Sequence, residues 1–121
     1  MRETLIFDHV RSPRGRGKDS GALREATPLE LARQLLVALR ERNALPADVV
    51  EEVILGTVAT AGEQSATLPR MAALMAGLGD GAAGLQLNRF CASGLEAVSI
   101  AAAKIGCGMA ELAIAGGVES M

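Results

Sequence analysis

Cys91 is the residue of this 121-residue sequence best placed for covalent chemistry. It follows a strand-like run at residues 84–88 and precedes a segment whose apolar residues recur at helical spacing. Ligands of parallel sheets meet the carboxyl ends of the strands, and the start of a helix stabilises a thiolate relative to a thiol. The position therefore predicts a nucleophilic cysteine, with an inert buried cysteine as the alternative.

The other cysteine and the single histidine are placed less favourably for catalysis. Cys107 follows the end of the same predicted helix, where the dipole disfavours a thiolate, so we interpret it as structural. His9 stands beside the first apolar run, and we expect it at the surface or at a strand end. Two cysteines are too few for a disulfide scaffold. Neither has a His or Cys at metal-ligand spacing, so no bound metal is expected.

The elements that must position Cys91 follow from the hydrophobic pattern. Strands are predicted at residues 4–7, 53–55, 84–88 and 111–115, and helices at residues 28–42, 67–77 and 92–105. Thr27, Pro28 and Glu30 form a capping box that predicts reciprocal hydrogen bonds at the start of the first helix. The order β-α-β-α-β-α-β predicts an α/β fold, a mostly parallel sheet with helices on both faces.

Two apolar stripes predict which helix faces are buried. The stripe of the second helix is interpreted as core, and the third helix, whose other faces carry Ala, Gly and Ser, is expected to be buried on several sides. The stripes are Leu68, Met71, Ala72 and Met75, and Leu95, Val98, Ala102 and Ile105.

Composition excludes several classes of function. Twelve Lys and Arg against 14 Asp and Glu give a net charge of -2, and Phe7 and Phe90 are the only aromatic residues. We therefore expect no nucleic-acid partner and no membrane association. The chain shows no targeting segment, which favours the cytoplasm. The basic segment 11–18 is interpreted as a surface turn, with contact to a phosphate or an acidic neighbouring subunit as the alternative.

Residues 79–84 satisfy the pattern G-x-G-x-x-G but in the wrong context. A dinucleotide-binding turn must follow a strand and open a helix, whereas this segment follows a predicted helix and opens a strand. The nucleophile elbow of hydrolases is also disfavoured, because it needs Gly two residues on either side of the nucleophile. Arg89 and Ser93 occupy those positions around Cys91.

Three segments together resemble the thiolase family. Residues 88–98, Asn-Arg-Phe-Cys-Ala-Ser-Gly-Leu-Glu-Ala-Val, resemble the signature around the acyl-accepting cysteine of that family. Residues 116–121 are similar to its Gly-Gly-x-Glu-Ser-Met turn, and residues 10–15 to its N-terminal Val-Arg-Thr-Pro loop. The resemblance covers the whole chain and about the first third of the family's length.

The resemblance implies acyl transfer between coenzyme A thioesters. Cys91 would hold the acyl group during thiolytic cleavage of a 3-ketoacyl-CoA or the reverse Claisen condensation of acetyl-CoA. Coenzyme A and acyl-CoA would be substrates rather than permanently bound cofactors, in fatty acid metabolism. The complete protein would be a homo-oligomer, a dimer or tetramer.

The same resemblance defines what this chain does not contain. Residues 1–121 would form a thiolase-like N-terminal domain that is truncated before its last helix and strand, without the loop domain and the C-terminal domain. The Gly-His-Pro and Cys-x-Gly-Gly motifs, which carry the family's base and second cysteine, do not occur. We therefore expect the chain alone to be inactive, assign no residue to coenzyme A binding, and interpret Glu119 as a turn-stabilising carboxylate.

Two alternatives remain open at this point. One is a related condensing enzyme of the ketoacyl synthase type, against which Asn88 and the turn at residues 116–121 favour a thiolase. The other is a non-catalytic interaction subunit built on a truncated thiolase fold.

The opposite helix ends predict that iodoacetamide labels Cys91 faster than Cys107. Limited alkylation followed by peptide mapping measures both rates in the same sample. Faster labelling of Cys107 would show that the wrong thiol has been chosen.

Overall fold

A three-stranded parallel sheet forms the centre of the computed structural model, which describes residues 1–121. The strands are β1 (Glu52–Gly56), β2 (Ala83–Leu87) and β3 (Ala113–Gly117), and they lie in the order β2-β1-β3. Ile54 of the central strand lies opposite Leu85 on one side and Ala115 on the other. The predicted α/β fold with parallel strands is confirmed.

Helices cover both faces of this sheet. They are α1 (Pro28–Arg42), α2 (Leu68–Met75) and α3 (Ser93–Gly106), with a short 3₁₀ helix at Gly62–Gln64. Val53 and Leu55 belong to the core that includes residues of α1 and α2, whereas Ile54 packs with α3 on the other face. Alternate residues of one strand thus supply two separate apolar layers.

The start of α1 follows only half of the capping prediction. The Thr27 hydroxyl accepts a hydrogen bond from the Glu30 backbone N–H at 3.1 Å. The Glu30 carboxylate, however, accepts from Arg33 and Gln34 rather than from the Thr27 backbone. An available guanidinium one turn along the helix is a stronger partner for a carboxylate than a neutral amide.

The strand predicted at residues 4–7 is absent, so three strands form instead of four. This segment runs beside the end of α3, where the Arg2 N–H donates to the Gly106 carbonyl at 2.8 Å and the Thr4 hydroxyl to the Ala102 carbonyl at 3.1 Å. Ile6 and Phe7 are both 80% exposed. A strand requires a neighbouring strand for its backbone hydrogen bonds, and this segment pairs with none.

Within this chain, the large residues of the apolar stripe predicted for α3 do not pack against the sheet. Leu95 is 72% exposed and Val98 is 39% exposed, while Ala97 and Ala101 are buried against the sheet. In α2, Leu68 and Ala72 are buried as predicted. Met71 and Met75 are exposed. Small residues form the sheet-facing side of α3 because the helix backbone lies very close to the strands.

Gly56 is what permits this close approach of α3. A Cβ atom at position 56 would lie closer than 3.0 Å to backbone atoms of both Ser93 and Gly94. Backbone atoms cannot move aside as a flexible side chain can. Gly117, the neighbour of Gly56 across the sheet, would also contact this region, with its Cβ 3.6 Å from the Gly94 Cα.

No helix of the structure combines the length and hydrophobicity needed to cross a lipid bilayer.

We predict that Gly56→Ala lowers the free energy of unfolding by about 3 kcal/mol, because an added methyl group must displace the start of α3. Gly94→Ala is the matched control. Its Cβ would meet nothing within 4 Å, and alanine favours the helical conformation, so this change is expected to be neutral or slightly stabilising. Urea denaturation measures both variants. Equal stability of the two would contradict the close packing at Gly56.

Candidate functional site

The carboxyl ends of all three strands meet at one edge of the sheet. Beyond β1, the Thr57 N–H donates to the Leu87 carbonyl at 2.9 Å, and beyond β3, the Val118 N–H donates to the Gly56 carbonyl at 3.1 Å. These bonds extend the strand pairing past the sheet itself. The segments that follow the strands, including the one that carries Cys91, are therefore held side by side.

Cys91 lies in a tight turn between β2 and α3, which we call the Cys91 turn (residues 88–93). Phe90 adopts a φ of 47°, a left-handed conformation that is unfavourable for a bulky side chain by on the order of 1–2 kcal/mol. The Asn88 side-chain carbonyl accepts a hydrogen bond from the Phe90 N–H at 2.8 Å. The Ser93 hydroxyl donates to the Phe90 carbonyl at 2.6 Å and accepts from the Arg89 N–H at 2.8 Å. Hydrogen bonds on both sides of Phe90 thus offset the cost of its conformation.

Cys91 is exposed, and unpaired amides lie next to it in the sequence. The backbone N–H groups of Cys91, Gly94 and Leu95 donate to no acceptor in the chain. Such groups at the start of a helix carry partial positive charge and favour an anion. The first turn of α3 can therefore stabilise a thiolate, or an oxyanion that forms beside it.

The charged side chains nearest in sequence to Cys91 are paired with each other. The Arg89 guanidinium lies 3.0 Å from the Glu96 carboxylate. Because Glu96 lies in the first turn of α3, it also interacts favourably with the helix dipole. The backbone amides, rather than a free cation, are thus the positive groups that the turn offers.

Glu119 connects the segment after β3 with the segment after β1. Its carboxylate accepts hydrogen bonds from the Val58 N–H at 2.6 Å, from the Ala59 N–H at 3.2 Å and from the Gln64 side-chain amide at 2.9 Å. Gln64 is buried, and its side-chain carbonyl accepts from the Ser120 N–H at 2.5 Å. The carboxylate therefore acts as an anchor for two loops.

These hydrogen bonds determine the ionisation of Glu119. Partial burial favours the neutral acid, but the hydrogen bonds from Gln64, Val58 and Ala59 outweigh it and hold the pKa of Glu119 below its usual value. Glu119 is thus a carboxylate at neutral pH, in agreement with the turn-stabilising role predicted for it. It has no proton to donate as a general acid under those conditions.

The structure does not bring the other predicted candidates to Cys91. Cys107 is the C-cap of α3, at the opposite end of the helix, and its thiol donates to the Lys104 carbonyl at 3.4 Å. It is exposed. His9 is exposed and borders a cavity of about 410 Å³ between the N-terminal segment, α1 and β3, and Cys91 is not among the residues that line this cavity.

The G-x-G-x-x-G segment lies in the context that the sequence predicts. Residues 79–84 connect α2 to β2, and the Gly81 N–H donates to the Asp48 carboxylate at 3.0 Å, so this segment is a loop and not a phosphate-binding turn at a helix start. No three His, Cys, Asp or Glu side chains converge in a geometry that could hold a metal ion.

Sequence reasoning missed Gln64 and Ser93 as structural parts of the site. Both are polar residues that are buried, and each satisfies its hydrogen bonds within the turns at the sheet edge. Their signal in the sequence is weak. Gln64 lies in a Gly-containing loop after a strand, and Ser93 is one of several small residues near the start of a helix.

The fold and this edge define an α/β domain with an exposed cysteine at the positive end of a helix. The family model "Thiolase, N-terminal domain" matches residues 4–121. A beta-ketoadipyl-CoA thiolase from Pseudomonas aeruginosa is 47% identical over 121 residues, 99% of this chain and 30% of the relative. A 3-ketoacyl-CoA thiolase from Shewanella loihica is 39% identical over 100% of this chain and 31% of the relative.

The chain belongs to the thiolase family. The crystal structure of the Bacillus anthracis acetyl-CoA acetyltransferase superimposes with a TM-score of 0.74 at 39% sequence identity, over 80% of this chain and 24% of that one. The chain thus spans about 30% of the length of the curated relatives that it matches. The resemblance stated from the three sequence segments is confirmed at the level of the family.

The Glu119 network predicts a specific response to acid. The carboxyl group should titrate below about 4.3, the ordinary value for glutamate. Its contribution to stability is complete above that pH and is lost as the pH falls from there through the lower pKa of the folded state, because the unfolded chain takes up the proton first. An NMR titration of the Glu119 carboxyl carbon measures the midpoint. A midpoint at or above 4.3 would contradict the network.

Proposed function

We propose that this chain is the N-terminal part of an acyl-CoA acyltransferase of the thiolase type, with Cys91 as the acyl-accepting nucleophile. The observation that carries the proposal is the placement of an exposed thiol before the unpaired amides of α3, at the carboxyl edge of a thiolase-family sheet. Family membership supports the reaction class. The geometry of the turn supports the choice of cysteine.

The first proposed step is attack by the Cys91 thiolate on the 3-keto carbonyl of a 3-ketoacyl-CoA. A new C–S bond forms, and the carbonyl electrons move to oxygen as an oxyanion. When the carbonyl reforms, the bond between C2 and C3 breaks and acetyl-CoA leaves as its enolate, which takes up a proton. The Cys91 N–H is a candidate donor to the oxyanion, because it has no acceptor within the chain.

The second proposed step releases the acyl group from Cys91. A coenzyme A thiol loses its proton and attacks the acyl-cysteine thioester, and the Cys91 thiolate leaves. The products are an acyl-CoA shortened by two carbons and the regenerated enzyme. The reverse sequence joins two acetyl-CoA molecules, so the same nucleophile serves degradation and synthesis.

The remaining parts of the proposal come from the family. Acyl-CoA and coenzyme A are the substrates, and the complete protein acts as a homo-oligomer in the cytoplasm. The chain contains a single histidine, His9, and neither Gly-His-Pro nor Cys-x-Gly-Gly. We therefore propose that residues 1–121 form an N-terminal domain that supplies the nucleophile, while the base and the proton donor come from outside these residues.

In the protein that carries this chain, we expect Cys91→Ser to lower the rate of 3-ketoacyl-CoA thiolysis by on the order of 10³-fold or more. A serine hydroxyl has no accessible anion near neutral pH without a strong base, so the loss falls on chemistry. Cys107→Ser is the matched control and should leave the rate unchanged. Mass spectrometry after incubation with acetyl-CoA should place the acetyl group on the Cys91 peptide. Near-normal turnover of Cys91→Ser would remove Cys91 from the mechanism.

A further inference from the structure

We infer that Glu119 and Asn88 are positioning residues for Cys91, connected to it by a relay of hydrogen bonds through the peptide group between Val58 and Ala59. This inference rests on the proposed function for the importance of Cys91. The hydrogen bonds of the relay are present in the structure whether or not Cys91 is the nucleophile.

The relay begins at the carboxylate and ends one residue before the nucleophile. Glu119 accepts the Ala59 N–H at 3.2 Å, and the carbonyl of the same peptide group, that of Val58, accepts the Asn88 side-chain N–H at 3.1 Å. The Asn88 side-chain carbonyl then accepts the Phe90 N–H at 2.8 Å. In each of these three hydrogen bonds, the donor lies on the side of Phe90 and the acceptor on the side of Glu119.

The amide groups of this relay point the same way, so each bond strengthens the next. An anion that accepts from an N–H polarises that peptide group and makes its carbonyl a better acceptor. The same reasoning applies to the Asn88 side chain, which donates with its nitrogen and accepts with its oxygen. The negative charge of Glu119 thus strengthens the hydrogen bond that the Phe90 N–H donates, although Glu119 and Phe90 share no hydrogen bond.

The end of the relay is the point where the turn is strained. Phe90 has a φ of 47°, and Ser93 holds its carbonyl from the other side at 2.6 Å. If the bond from Asn88 is lost, Phe90 can rotate toward an ordinary conformation and carry Cys91 with it. Cys91 would then move relative to the unpaired amides at the start of α3.

The relay also couples separate parts of the chain. Glu119 follows β3, Val58 follows β1, and Asn88 follows β2, so one row of hydrogen bonds crosses the carboxyl ends of all three strands. A further bond, from the Gln86 side chain to the Gln64 carbonyl at 2.6 Å, holds the loop after β1 against β2. The position of Cys91 therefore depends on segments distant in sequence.

The test compares Glu119→Gln, Asn88→Ala and the double variant by the ratio of Cys91 to Cys107 alkylation. Iodoacetamide is neutral, and Cys107 is an internal reference at the far end of α3. We expect each single variant to lower the ratio roughly fivefold, the factor that one net hydrogen bond supplies. The double variant should be no worse than either single one, because the two residues act in series. Glu63→Gln, which removes an exposed charge beside Gln64, should leave the ratio unchanged.

The relay would be overturned by an unchanged ratio in either single variant, by losses that add in the double variant, or by an equal loss in Glu63→Gln. An increased ratio in Glu119→Gln would show that the carboxylate acts on the thiolate by charge alone and would also overturn it. Because Asn88 is exposed, we expect Asn88→Ala to fold, so the ratio can be measured in this variant even if Glu119→Gln unfolds. Alkylation needs no acyl transfer, so failure of the proposed function leaves this test intact.

Discussion

The close packing of α3 on Gly56 is the constraint on which the rest of the structure depends. A helix that starts directly against the central strand places its unpaired amides at the carboxyl edge of the sheet, where the other strands also end. The same packing requires small residues on the helix face that meets the sheet, and Ser93, Ala97 and Ala101 supply them. The N-cap of α3, Ala92, provides no side-chain capping hydrogen bond, and the Cys91 turn leads into the helix at this point.

In the Cys91 turn, a strained backbone at Phe90 accompanies the exposure of Cys91. A bulky residue in the left-handed region is unfavourable, and such conformations persist only where the surroundings determine them. Here a side-chain amide from one side and a hydroxyl from the other hold Phe90 in place. The consequence is that Cys91 faces solvent, and its N–H has no acceptor in the chain. An anchoring carboxylate, Glu119, stabilises the neighbouring loops in the same region.

Much of this architecture could be predicted from the sequence. The strands at β1, β2 and β3 and all three helices follow from apolar periodicity and from Gly, Pro and cap residues, and the position of Cys91 follows from their order. The strand predicted at residues 4–7 was wrong, because this segment has strand-like composition but no neighbouring strand. In α3, the large residues Leu95 and Val98 are exposed in this chain, since close packing reserves the sheet-facing side for small residues.

Sequence patterns did not predict the hydrogen bonds between the turns. Gln64, Asn88 and Glu119 are 24 and 31 residues apart, and nothing in their spacing shows that three strand ends would place them together. The relation between Glu119 and Asn88 depends on the register of the sheet, which aligns Gly56 with both Leu87 and Gly117. Only the folded chain shows that relation.

Amide hydrogen exchange within the Cys91 turn tests most directly the claim that Phe90 is held so that Cys91 can present a free thiol and a free amide. We predict that the Phe90 and Ser93 amides exchange slowly, because both are hydrogen-bonded, while the Cys91 amide exchanges close to the rate of an unprotected peptide. A protected Cys91 amide beside an unprotected Phe90 amide would contradict it.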